Sequence, residues 1–133
     1  MSYATVAIKA AKLAVEKNIS PVEAWQRVVA QQYPHSPDMQ KKACPRNAFL
    51  GLCSKGKVKG IPRRIYTKSK LNKKYAQECL YILSLNKHEL FYPSELWEMV
   101  LRSLNADKNK KHNSQMNVVN ALWEEGLLIP YFP

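Results

Sequence analysis

Apolar residues recur every three or four positions along most of this 133-residue chain, a spacing that predicts helices rather than strands. The first helix is predicted from Tyr3 to Lys17. Ser20-Pro21-Val22-Glu23 is a capping box with proline at the first helical position, so a second helix is predicted from Pro21 to about Tyr33. A short third helix is predicted to begin at Ser36 and to end before Pro45.

The pattern changes after a fourth helix, which we expect to run from Pro45 to Lys55 and to stop at Gly56. Residues 57–66 mix β-branched residues, bases, glycine and proline, which fits either a short strand-turn-strand ribbon or an irregular loop. Thr67 or Ser69 then caps a fifth helix over residues 70–85. Its predicted core face comprises Leu71, Tyr75, Cys79, Ile82 and Leu83.

Two further helices are predicted in the C-terminal part, from Pro93 to about Leu104 and from Ser114 to Glu125. Gly126 ends the last helix, and Leu127-Leu128-Ile129 is a short apolar tail or strand. The fold class is therefore mostly α. We expect a basic helical domain over residues 1–86 and a smaller helical subdomain over residues 92–133, either separate or packed as one body.

The two halves share a sequence pattern. Pro21-x-Glu23-x-Trp25-x-x-Val28 matches Pro93-x-Glu95-x-Trp97-x-x-Val100 at an offset of 72. The order of helix, connector, helix and extended piece is typical of helix-turn-helix and winged-helix units, so we expect a helix-turn-helix-like or winged-helix-like first half. The pattern fits a tandem repeat, or a chance likeness between two capped amphipathic helices.

Charge changes this picture, because the net charge of +11 comes from one window. Between Met39 and Gln77 the chain has twelve basic and no acidic residues, and elsewhere it has nine basic and ten acidic residues. Such a patch is typical of proteins that bind a polyanion. The bases are Lys41, Lys42, Arg46, Lys55, Lys57, Lys59, Arg63, Arg64, Lys68, Lys70, Lys73 and Lys74.

The predicted fourth helix has a polar stripe along one side. Arg46 and Asn47 at its leading end have the chemistry to read base edges in a major groove, which makes it a candidate recognition helix. Gly51 equally fits close packing against another helix, in which case this is a core helix. The basic loop that follows is suited to phosphate contacts in the manner of a wing, and Tyr66 and Tyr75 fit either stacking on unpaired bases or burial in the core.

Catalysis, metal binding and membrane insertion have little support. Three scattered histidines provide no triad, and the basic window contains no carboxylates to hold a metal. Cys44, Cys53 and Cys79 lack zinc-ligand spacing and are expected to be free thiols. We expect a non-enzymatic cytoplasmic protein with no cofactor and no membrane-spanning helix.

Cys44-Pro45-Arg46-Asn47-Ala48-Phe49-Leu50-Gly51-Leu52-Cys53, followed by Val58-Lys59-Gly60-Ile61-Pro62 and Tyr66-Thr67-Lys68-Ser69-Lys70, resembles a family of small uncharacterised bacterial proteins. The resemblance covers about residues 3–85 and leaves the remainder as an extension. It implies no activity and no catalytic residues. It does imply that the basic first half can stand as its own domain.

The predicted function is nucleic-acid binding, with double-stranded DNA favoured over RNA. Its contact residues would be Asn47 and the twelve bases of the window. The alternative is an adaptor or inhibitor that binds an acidic protein surface. The apolar C-terminal end, with Trp123, Tyr131 and Phe132, suggests a homodimer interface or a second docking surface.

Overall fold

The computed structural model describes residues 2–132, which form seven α-helices and a mostly α protein. Each helix begins and ends close to the position that the sequence predicts. The helices are α1 (Tyr3–Lys17), α2 (Pro21–Gln32), α3 (Pro37–Gln40), α4 (Ala43–Ser54), α5 (Lys70–Leu85), α6 (Pro93–Ser103) and α7 (Gln115–Glu124).

One helix start and one capping interaction differ from the prediction. Helix α4 begins two residues before Pro45, because the first N–H groups of a helix need no partner inside it and proline fits there. Ser114 does not cap α7, since its φ of 67° is left-handed and its side chain accepts no capping bond. Instead His112 Nε2 accepts a hydrogen bond of 3.0 Å from the Met116 N–H.

One hydrophobic core joins both halves of the described chain. Helix α7 packs against α1 and α4 of the first half as well as against α5 and α6. Fully buried side chains such as Trp25 and Phe49 belong to the same cluster as Leu96 and Met116. The predicted core face of α5 is buried except for Leu71, which is 46% exposed in the first turn of the helix.

The segment between α4 and α5 is an irregular loop, so the strand-turn-strand alternative is wrong for residues 57–66. Its regular pairing is one antiparallel bridge between Val58 and Leu128 in the C-terminal tail. The Lys59 N–H donates to the Leu127 carbonyl at 2.9 Å, and the Ile129 N–H donates to the Lys57 carbonyl at 2.8 Å. The tail thus holds the start of this loop in place.

Candidate polyanion-binding surface

The bases of the window are not paired with carboxylates in the part of the chain that the structure describes. Within residues 2–132 the ion pairs are Lys12–Glu125 and Arg27–Glu23, and neither involves a base of the window. Four of the twelve bases are partly buried: Arg46, Lys55, Lys57 and Lys73. The other eight are exposed: Lys41, Lys42, Lys59, Arg63, Arg64, Lys68, Lys70 and Lys74.

The basic loop, residues 55–69, is anchored to the core at several points. Val58 and Ile61 are buried. The Ser54 hydroxyl donates to the Leu50 carbonyl at 2.8 Å and accepts a hydrogen bond of 3.0 Å from the Tyr66 N–H. The Tyr66 hydroxyl in turn donates to the Pro62 carbonyl at 2.5 Å. These bonds fix the shape of the loop, so the backbone that carries its charges is held in place.

Close packing of α4 on α5 brings further bases to this loop. A Cβ added to Gly51 would lie 2.7 Å from the Lys73 Cα, so the two helices approach more closely than any larger residue allows. At Gly56, whose φ is 70°, an added Cβ would lie 3.1 Å from the Arg63 Cβ. Arg63 therefore passes beside the end of α4, near Lys55.

Tyr131 of the tail connects the loop to α5. The Lys57 Nζ lies 4.1 Å from the centre of the Tyr131 ring, a cation–π contact. The Tyr131 hydroxyl accepts a hydrogen bond of 3.1 Å from the Gln77 side chain. Tyr131 also lines a cavity together with Lys74. We call the bases at the contacts of the loop with α4, α5 and Tyr131 the basic surface; they are Lys55, Lys57, Arg63, Lys73 and Lys74.

A second group of predicted residues meets in a cleft of about 380 Å³ between α2, α4 and the end of the basic loop. Arg46 and Lys68 supply its charge, and Gln26 lines its α2 side. The Thr67 hydroxyl donates to the Asn47 Oδ1 at 2.9 Å and accepts from the Ser69 N–H at 3.1 Å. Asn47 is thus engaged in holding the loop, which leaves Arg46 and Lys68 as the cationic groups of the cleft.

These contacts favour packing over base recognition by α4. Its polar stripe faces the chain itself: Asn47 bonds to Thr67, Gly51 abuts Lys73, and Ser54 holds Tyr66. The helix is buried on its apolar side too. A helix covered on both sides presents little polar surface to a major groove, so the packing alternative fits this stripe and the recognition helix does not.

Some predicted residues are not brought to the basic surface by any contact in the described chain. Lys41 and Lys42 precede α4, whose twelve residues separate them from Lys55 by roughly 18 Å at about 1.5 Å per residue. Lys59 is exposed beside the bridge to the tail. Arg64 lines a different cavity, against the α1–α2 turn. Lys70 is exposed at the first residue of α5.

The two tyrosines of the window do not offer free faces. Tyr75 is 3% exposed and packs edge-on against Trp97, with ring centres 5.0 Å apart, so the expectation that it stacks on bases is wrong. Tyr66 is partly buried, and burial raises the pKa of its hydroxyl above the ordinary value of 10.0. The basic window therefore has no fully exposed aromatic ring on which an unpaired base could stack.

Other chemistry is sparse in residues 2–132. No group of three or more His, Cys, Asp or Glu side chains there is arranged to hold a metal ion. Burial raises the pKa of the Cys53 and Cys79 thiols far above the ordinary value, and Cys44 is partly buried near the start of α4. No helix of the described chain is long and apolar enough to cross a bilayer.

Sequence reasoning missed two residues of this region. Tyr131 contacts Lys57, which lies 74 positions away in the sequence, and no local sequence pattern predicts that contact. Ile65 is 87% exposed beside Arg64. The sequence did indicate that Ile65 is exposed, because it follows two arginines and belongs to no apolar stripe of a helix.

The fold and this site define a small all-α protein with an anchored basic loop. The chain belongs to the family of unknown function DUF6979, whose model matches residues 1–129. The match runs through both halves, so the C-terminal part is not the extension that the sequence resemblance suggested. No curated protein matches the chain. No solved structure matches it either.

Proposed function

We propose that this protein is a non-enzymatic nucleic-acid-binding protein that binds double-stranded DNA through the basic loop and the adjoining turns of α5. The observation that carries the proposal is the anchored set of bases between α4 and α5, which the described residues leave without a carboxylate partner. Charges held in place by the fold lose less conformational entropy on meeting phosphates than charges on a mobile tail.

The way in which the protein would contact DNA depends on which side chains of the basic window are free to bind it. Eight of the twelve bases of the window are exposed, whereas Tyr75 is buried and Asn47 is already bonded. Contacts to the phosphate backbone therefore dominate, and these position a protein without reading sequence. Duplex DNA is favoured over single strands, because single-strand binding generally relies on aromatic stacking platforms.

The test is a binding titration of a fluorescent random-sequence duplex over a salt series. With roughly six to eight phosphate contacts, affinity falls roughly 10³-fold from low to moderate salt. The double variant Arg63→Ala, Arg64→Ala weakens binding of the random-sequence duplex and lowers the salt slope by roughly 2. The matched control is Lys108→Ala, Lys111→Ala, which removes two exposed bases outside the window and leaves the slope nearly unchanged.

Unchanged affinity in the arginine variant would show that the loop is not the contact. If the wild-type protein fails to bind any duplex at low salt and elutes free of nucleic acid, the proposal is wrong. The same charges would then serve an acidic protein surface instead.

We also propose that the two halves descend from a duplicated helical unit. Tyr3 packs on Trp25 and, 72 positions later, Tyr75 packs on Trp97. Helices α4 and α7 end in the same way, at Gly56 and Gly126 with φ of 70° and 72°. These two glycines are 70 positions apart, and Val58 and Leu128, which the bridge joins, have the same separation and follow the glycines equally in each half.

Within this proposal, the unit formed by α2, α3 and α4 is a helix-turn-helix variant without a winged hairpin. The second unit of the same chain, α6 and α7, serves dimerisation or docking to another protein. Tyr81, Leu85 and Phe132 are exposed near the end of α5, and a homodimer through this C-terminal half stays part of the prediction. Sedimentation velocity across a concentration series tests it.

A further inference from the structure

Ile65 occupies a position that folding does not explain. Its side chain is 87% exposed, as high as Leu90 and above the other exposed large apolar side chains of residues 2–132. It follows two exposed arginines, Arg63 and Arg64. An isoleucine left in water contributes little burial to the stability of the isolated protein, so its place in the loop calls for another reason.

The backbone around Ile65 is nevertheless held firmly. On one side of the three residues 63–65 lies Pro62, and on the other lies Tyr66. The Tyr66 hydroxyl reaches back to the Pro62 carbonyl, while its N–H is held by the Ser54 hydroxyl. Residues 63–65 therefore lie between two fixed points, and the exposed Ile65 directly follows two exposed arginines in the sequence.

We infer that Ile65 is an apolar wedge that enters the minor groove of duplex DNA and partly separates two stacked base pairs. The inference rests on the proposed function. Proteins that bend DNA from the minor groove insert Ile, Leu, Phe, Met or Pro between base steps and place basic side chains alongside. Arg63 and Arg64 supply those side chains, since the narrow minor groove concentrates negative potential and attracts arginine.

The choice of groove follows from the rest of the surface. The major groove accepts a helix or a two-stranded ribbon. Here the polar stripe of α4 is covered by residues 66–73, and residues 57–66 form no ribbon. A loop that exposes one β-branched side chain between two anchored residues fits the minor groove, whose width is about 6 Å.

The experiment uses the full chain and a duplex that carries 2-aminopurine at a flexible TA step, because the fluorescence of this base rises when it loses stacking. Wild-type protein raises the fluorescence on binding and bends an end-labelled duplex, as measured by energy transfer. Ile65→Ser loses more than half of both signals but keeps the salt slope, since its phosphate contacts remain. Ile65→Met, which retains an apolar tip, restores both signals.

Leu90→Ser is the matched control. It removes an equally exposed apolar side chain from the loop before α6, outside the basic window, and leaves both signals at the wild-type level. Far-ultraviolet circular dichroism confirms that each variant is folded. Wild-type binding without any rise in fluorescence, or a rise that Ile65→Ser retains, overturns the wedge and leaves the proposed function standing. Absence of duplex binding at low salt overturns both.

Discussion

Ser54 and Tyr66 are joined by a hydrogen bond of 3.0 Å between the Ser54 hydroxyl and the Tyr66 backbone N–H. The bond ties the last residue of α4 to the far side of the basic loop, twelve positions away. The same hydroxyl donates to the Leu50 carbonyl, and Ser54 is 8% exposed. A single small side chain therefore fixes where the loop leaves the core.

Replacing Ser54 by alanine tests this link. The change leaves the Tyr66 N–H without its partner, and the loss of this partly buried hydrogen bond lowers the free energy of unfolding by about 1–3 kcal/mol. We expect urea denaturation to show a loss in this range, and hydrogen exchange of the Tyr66 amide to become much faster than in the wild type.

Ser84→Ala provides the control. Ser84 makes the same two bonds at another site, to the Leu80 carbonyl and from the Tyr131 N–H. Its loss should destabilise the protein to a similar extent without faster exchange at Tyr66. Equal exchange at Tyr66 in wild type and Ser54→Ala would contradict an anchoring role for Ser54.

Gly51 and Gly126 are glycines for different physical reasons: a close helix contact at Gly51 and a positive φ at Gly126. Gly51→Ala places a Cβ 2.7 Å from the Lys73 Cα, so α4 and α5 must move apart, at a cost of about 1–3 kcal/mol. Gly126→Ala meets no atom within 4 Å, but alanine is strained at φ of 72°, which costs roughly 1 kcal/mol.

Thermal unfolding and backbone resonances distinguish the two cases. We expect both variants to unfold at lower temperature than the wild type. Only Gly51→Ala should shift the backbone resonances of Lys73 and its neighbours in α5, because only there does a side chain press on another helix. Unaltered α5 resonances in Gly51→Ala would show that the helices are not in close contact.

His112 predicts a pH dependence of stability. Burial lowers the pKa of this imidazole below its ordinary value of 6.5. Its Nε2 accepts the Met116 N–H, its ring lies on Trp97, and Glu98, Arg102 and Lys108 line the adjoining cavity. Protonation removes the lone pair that the Met116 N–H needs and adds a positive charge at the positive end of α7.

The direction of the pH dependence follows from which state, folded or unfolded, binds the proton more readily. Below pH 6.5 the unfolded chain binds a proton at His112 more readily than the folded protein does, so stability falls as the pH drops from 6.5 through the lowered folded pKa. Urea unfolding at a series of pH values from about 7.5 to about 5 measures this change before most carboxyl groups titrate. His112→Phe keeps a ring on Trp97 but does not titrate, and should flatten the profile. An unaltered profile in that variant would assign the effect to other groups.

The basic half is not expected to fold by itself. Helix α7 packs against α1, α4 and α5, so a fragment of residues 1–86 exposes the core surfaces that α7 covers in the whole chain. We expect this fragment to lack a cooperative thermal transition and to show poor amide dispersion. Addition of a peptide of residues 92–133 should restore both. A cooperative transition in residues 1–86 alone would support the independent domain that the sequence resemblance implies.

Local patterns were sufficient to place the helices. Capping residues and glycine stops lie within or next to the helices' own sequence, so the boundaries of α1, α2 and α5 follow from neighbouring residues. The start of α4 was predicted two residues late, because proline marks the first turn of a helix without fixing its first residue.

Local sequence patterns could not predict the contacts between residues that are distant in the chain. Helical spacing places Leu71 on the apolar face of α5, yet the side chain lies in the first turn and is exposed. The glycine at position 51 was compatible with base recognition or with packing, and only the position of Lys73 decides between them. The charge of the candidate site was evident from composition, whereas the bonds that shape it join residues far apart in the local pattern, such as Ser54 with Tyr66 and Lys57 with the tail.

The bridge between Val58 and Leu128 has a consequence for synthesis. Residues 57–59 leave the ribosome well before residues 127–129, which hold them. During synthesis this bridge therefore cannot form until the tail has emerged. The arrival of residues 127–129 adds the last anchor of residues 57–59, after the bonds around Tyr66 within the first half, so docking of the tail is a late step in shaping this loop.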